Sequence, residues 1–167
     1  MAFITTNIIT NNTVPSLQQL WDLVNSFTPP IDIRIIANRL GLSVIEDISM
    51  DNDISGCLEN KRGQWCIYVN AFHNEQRKRF TIAHEIAHFV LHSSNTSSFK
   101  DISFFRSPSS DKIEQEANKL AAEILMPTEM YLHAIQEGHN SILSLADKFF
   151  VSGAASQFRA KSLGLIK

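Results

Sequence analysis

The run His84-Glu85-Ile86-Ala87-His88 lies in a stretch whose apolar residues leave little choice but a buried helix. At about 100° per residue, Phe80, Ile82, Ala83, Ile86, Ala87, Phe89, Val90 and Leu91 spread around most of the circumference. Thr81, His84, Glu85, His88 and His92 share one sector of about 100°. A helix that is apolar nearly all round packs inside a domain. A stripe of histidines and a carboxylate on it costs free energy unless those groups are paired or bind a metal.

The spacing favours a metal. Histidines four apart lie about 40° apart around the axis and about 6 Å along it, so both rings reach one ion. Neutral imidazole is a good zinc ligand. Glu85 projects beside the two rings and is placed to take a proton from a water that the ion makes acidic. The motif alone is short enough to recur by chance, so the next helix matters.

A catalytic zinc takes three protein ligands and keeps one open position. On a helix spanning Asp111–Leu125, the residues Ile113, Ala117, Leu120, Ala121, Ile124 and Leu125 form one apolar stripe, and Glu114 falls within it. A carboxylate on an inward face is costly unless it meets a cation, so Glu114 is the expected third ligand. Glu116, at the edge of the stripe, and His92, about 12 Å along the axis from His84, are the rivals. Asn118, one turn beyond Glu114, can hydrogen-bond a ligand histidine and set its orientation. Tyr131, His133 and Tyr68 are candidate donors to an oxyanion or to substrate.

The surrounding pattern reads as α+β. It combines a small antiparallel sheet, the histidine helix packed on it, the glutamate-bearing helix and a helical C-terminal tail. Helices are expected over Val14–Phe27, with Pro15 in the first turn and Pro29-Pro30 as the stop, and over Ile33–Leu40, between Asp32 as N-cap and Gly41. Leu42–Asp47, Ser55–Leu58 and Gln64–Asn70 have strand character, and Trp65–Val69 is a candidate edge for an extended substrate. Glu75–Leu91 is the active helix. Ser93–Ser110, with Phe99, Phe104 and Phe105, is the longest irregular stretch and a candidate lid. Pro127–Gln136, Ser141–Phe150 and Gly153–Ser162 complete the tail. A turn at Asn60–Gly63 would set Cys57 opposite Cys66, or one residue off with a bulge; two reduced thiols are expected.

With 167 residues, 44% hydrophobic and 19% charged, the chain suits a single domain over 1–167, with residues 1–13 peripheral. A net charge of −2 argues against nucleic-acid binding. No signal segment and no run of about 18 apolar residues occurs, so a cytoplasmic location with no membrane contact is expected. Nothing in the sequence fixes the oligomeric state.

Arg79–His92 and Ile113–Pro127 together resemble the ImmA/IrrE family of metallopeptidases. The second segment is similar to that family's E-x-x-x-N helix with its Leu-Met-Pro stop. Ile31–Val44, Tyr68-Val69-Asn70 and Ala146–Leu165 also resemble it, so the likeness covers most of the chain beyond roughly its first ten residues. Ala87 and Leu120 stand where many members have Gly and Phe. The resemblance implies a gluzincin-like core, Zn2+ as cofactor, His84, His88 and Glu114 as ligands, and Glu85 as base. It further implies cleavage of a helix-turn-helix repressor of a mobile element or stress regulon. The alternatives are a catalytically silent zinc-fold module that sequesters a repressor and a DNA-binding regulator built on Leu145–Ser152 and the helix after it.

Overall fold

The computed structural model describes residues 14–93 and 108–167. Helices α1 (Leu17–Val24) and α2 (Ile33–Arg39) precede strands β1 (Ser43–Asp47), β2 (Gly56–Lys61) and β3 (Gln64–Asn70). Helices α3 (Glu75–His92), α4 (Pro108–Leu125), α5 (Thr128–Gln136), α6 (Ile142–Phe149) and α7 (Gly153–Ser162) follow. The fold is therefore α+β. Residues 1–13, and residues 94–107 of the expected lid with its three phenylalanines, lie outside the described residues.

The sheet is mixed, not wholly antiparallel, with strand order β1-β3-β2. The segment after β1 reverses direction and crosses to the far edge, and the tight turn into β3 reverses it again. β3 therefore lies between them, parallel to β1 and antiparallel to β2. A strand flanked on both sides can accept no third partner, which removes Trp65–Val69 as a substrate-binding edge. Arg62 (φ 54°) and Gly63 (φ 88°) form the turn between Lys61 and Gln64. This turn sits one residue later than the sequence suggested, which moves the register by two. Cys57 pairs with Tyr68, Cys66 pairs with Glu59, and both thiols are free.

Local chemistry sets the helix starts. Ser16 and Gln19 form a reciprocal capping box, so α1 begins after Pro15 and ends at Val24, before the proline pair. Asp32 caps α2, and Asn74 accepts from the Arg77 amide at the start of α3. α4 starts three residues earlier than expected, at Pro108.

α3 is the centre of the packing. Ile82, Ala83, Ile86 and Ala87 are completely buried, and Phe89 meets Trp65 of β3 edge-on at 5.5 Å. α4 lies along α3, and α7 packs on α4. Two features press β2 against α3. Gly56 allows the strand in: a Cβ there would stand 2.5 Å from both Thr81 Cγ2 and the Tyr68 carbonyl oxygen. Buried Asn70 holds the approach to the strand. Its amide donates to the carbonyls of Asp51 (3.0 Å) and Ile54 (2.9 Å), and its backbone N–H donates to Ser55 O (2.9 Å). Among the described residues, no helix is long and apolar enough to cross a membrane.

Candidate metal centre

α3 and α4 bring together the residues that the two helix patterns single out. Nε2 of His84 lies 2.9 Å from Nε2 of His88. The Glu114 carboxylate reaches both, 3.1 Å from His84 Nε2 and 3.2 Å from His88 Nε2. One ligand atom from each lies within 4.8 Å of the others, a grouping that could hold an ion. A tetrahedral zinc about 2.0–2.1 Å from each ligand atom sets those atoms roughly 3.3 Å apart. The observed separations need to open by only a few tenths of an ångström to admit one.

The protonation pattern suits a cation too. Asn118 Oδ1 lies 3.0 Å from His84 Nδ1 and is an acceptor, so in the neutral ring Nδ1 carries the proton and Nε2 is left with a lone pair towards the cluster. Burial holds His88 below its ordinary value, so it stays neutral. Burial also disfavours charge on His84, but the hydrogen bond that its protonated ring donates to the Glu114 carboxylate and the nearby Glu85 charge outweigh it and raise its pKa. Glu114 is pulled down to about 2: burial opposes this, and its hydrogen bonds to the two histidines overcome it. Once a cation displaces the proton that Glu114 favours on His84 Nε2, two lone-pair nitrogens and an ionised carboxylate aimed at one point are a zinc-type donor set.

Glu85 is buried beside them. Burial pushes its carboxyl up to about 7, with His84 lowering it and Glu114 raising it. A cation at the three ligands would draw it lower. The site opens to solvent through a cleft of about 240 Å³, whose lining includes His84, Glu85, Glu114 and Asn118. Ser55, Gly56 and Arg77 also line it, and the sequence reading missed all three. Arg77 Nη2 donates to Ser55 Oγ at 2.9 Å. Arg77 lies two helical turns before His84, a period-of-seven signal that could have marked it.

Other expected contributors fall elsewhere. Tyr131 is fully buried, and its hydroxyl lies 3.1 Å from Ser156 O and 3.0 Å from Ser156 Oγ, so it is no donor to the cleft. His133 is exposed beside Glu137 and lines a separate cavity with Phe27 and Pro29. Tyr68 points its hydroxyl to Lys61 Nζ at 2.6 Å and is not among the cleft's lining residues. His92 and Glu116, the rival third ligands, face each other at 3.9 Å. In the tail, Phe150 adopts the left-handed turn (φ 51°), and Ser156 and Arg159 are inside the fold. Arg159 donates to Met126 O (2.9 Å) and Thr128 Oγ1 (2.8 Å), which ties α7 to the junction of α4 and α5.

A histidine helix backed by a small sheet and met by a glutamate from a second helix defines a metallopeptidase-like fold and centre. The sequence profile of the peptidase M78 family, the IrrE N-terminal-like domain, matches residues 31–161, and the chain belongs to this family. A relative from Bacillus phage phi105, Uncharacterized immunity region protein 2, is 31% identical over 93 residues, which is 55% of this chain and 56% of the phage protein. A Mycobacterium tuberculosis transcriptional regulator of known structure shares the fold, with a TM-score of 0.63 at 18% identity. That likeness covers 86% of this chain and 46% of the regulator. The matches thus span about half the length of each of these two relatives.

Proposed function

We propose that this protein is a zinc-dependent endopeptidase, acting as one metallopeptidase domain on a protein substrate. The observation that carries the reading is the convergence of His84, His88 and Glu114 beside buried Glu85 in an open cleft. The three ligands would hold Zn2+, which when bound polarises the scissile carbonyl and makes a water acidic enough to attack near neutral pH. Glu85 takes that water's proton and returns it to the leaving amine. Asn118 holds His84 in the tautomer that frees Nε2. Arg77 supplies positive charge to the cleft for the carbonyls of the substrate. An extended peptide has a place to pair: β2 is an edge strand, and its start lines the cleft.

The substrate we propose is a helix-turn-helix repressor of a mobile element or stress regulon, met in the cytoplasm. The family membership supports a protein substrate, and the phage relative's name refers to an immunity region.

Metal content of the purified protein, beside His88→Ala and Glu114→Ala, tests the centre. About one zinc per chain, lost or much weakened in both variants, is expected. No metal after incubation with zinc would overturn the peptidase reading. Wild type and Glu85→Gln are then compared for relief of repression. Loss of relief in Glu85→Gln supports hydrolysis, whereas equal relief would mean that the protein acts by sequestering its partner.

A further inference from the structure

Beside the metal cleft lies a second cavity, of about 290 Å³, lined by Phe80, Asn118, Ser152, Ala154, Ala155 and Phe158. It shares Phe80 and Asn118 with the metal cleft, so the two adjoin at these side chains. Asn118 itself touches ligand His84 at 3.0 Å. Four of the six lining residues are Phe or Ala and none is charged. A charged group entering would lose its hydration with no counter-charge to meet, whereas an apolar group would gain burial. The volume is adequate for a leucine or phenylalanine side chain. Ala154 and Ala155 leave the space on the α7 side, and Phe80 and Phe158 offer aromatic surface.

We propose that this cavity is the specificity pocket, receiving a large apolar side chain next to the scissile bond. The inference rests on the peptidase reading above. It makes α7, remote in sequence from the metal ligands, the element that selects where a substrate is cut. Ala154 and Phe158 are then specificity-determining residues, and neither has a part in the chemistry.

Peptide hydroxamates test it, because the hydroxamate grips zinc while the adjacent side chain probes the cavity. Binding to the zinc-loaded protein is measured by calorimetry for acetohydroxamate and for one peptide series carrying Ala, Leu, Phe, Asp or Lys. Leu and Phe are expected to bind roughly tenfold to a hundredfold more tightly than Ala, with Asp and Lys weaker than Ala. Ala154→Trp, which fills the cavity, should erase the Leu and Phe advantage while leaving acetohydroxamate affinity unchanged. Phe158→Ala should reduce the advantage in a differently shaped cavity, so the outcome does not hang on one variant's folding. A flat series with acetohydroxamate still bound overturns the pocket and leaves the metal centre standing. Preference retained in both variants overturns it too. Failure of every hydroxamate, acetohydroxamate included, overturns the peptidase reading and the pocket with it.

Discussion

Asn118 Oδ1 accepts from His84 Nδ1 at 3.0 Å, and this contact across two helices decides which nitrogen of His84 faces the cluster. Replacing Asn118 with Leu removes the acceptor and lets the ring proton move to the face that must be bare. Zinc affinity should fall about 10- to 100-fold, and Asn118→Asp, which keeps an acceptor oxygen, should retain most of it. Competition against a fluorescent chelator measures this. An unchanged affinity in Asn118→Leu would mean that the tautomer is set elsewhere.

Gly56→Ala should narrow or distort the cleft. The new Cβ meets one side-chain atom and one backbone oxygen, each at 2.5 Å, and the oxygen belongs to a paired strand that has little room to retreat. The expected cost is about 1–3 kcal/mol in denaturant melts. Adding Thr81→Ser relieves only the methyl clash, so the double variant should recover part of the loss and not all.

Asn70→Ala takes the donor away from two carbonyls of the segment that leads into β2. It also removes the acceptor for the Phe72 amide. We expect a loss of about 2–4 kcal/mol in unfolding free energy. Amide exchange of residues 51–56 should rise more than that of α5, because the clamp is local.

Stability should fall at acid pH partly through Glu46. Its hydrogen bond from Lys78 Nζ (2.8 Å), with Arg34 adding to it, holds its carboxyl below the ordinary value of 4.5. A depressed folded-state pKa means that the contribution is complete above about pH 4.5 and is lost as pH falls through the lower folded value. Glu46→Gln should therefore be less stable than wild type at pH 6, with the gap closing on acidification towards pH 3. The pair is partly exposed, so the gap should shrink in high salt. A constant gap across that range would assign the loss to packing instead.

Burial, with Glu59 and Glu85 nearby, pushes the Cys57 thiol up from 9.0 to about 11. At pH 8 its thiolate fraction is then roughly a hundredfold below that of an ordinary thiol. Alkylation by iodoacetamide, followed by peptide mass mapping, should be slower by about that factor in the native protein and normal in denaturant. Rapid native labelling would contradict the buried environment.

The local signals in the sequence were enough for the helices and for the grouping of His84, His88 and Glu114, and not for the rest of what lies across space. Period-3.6 patterning identifies both α3 and α4, and the costly inward position of Glu114 points to its partners without any tertiary information. The sheet is different. Whether β1 lies beside β2 or β3 depends on where an eight-residue connection crosses, and no local preference encodes that. The hairpin shows how fine the margin is, because a turn placed one residue late changes every cross-strand pair. The polar tail residues mislead for a related reason. Tyr131 is satisfied by Ser156, and Arg159 by Met126 O and Thr128 Oγ1, inside the fold, and a sequence shows only that they are polar.

The metal cleft and the cavity beside it differ in what bounds them. On the β2 side, Gly56 puts main chain against helix, and no exchange of side chain there can pass without strain. Beyond Phe80 and Asn118, the neighbouring cavity is lined on its α7 side by Ala154, Ala155 and Phe158, carried by a helix that Arg159 anchors through contacts in which none of the three takes part. Variation at those three positions can reshape that cavity while the histidines, the glutamates and the strand keep their places. If the proposed peptidase reading holds, a lineage bearing this fold can follow a changing target by single substitutions, without rebuilding its metal centre.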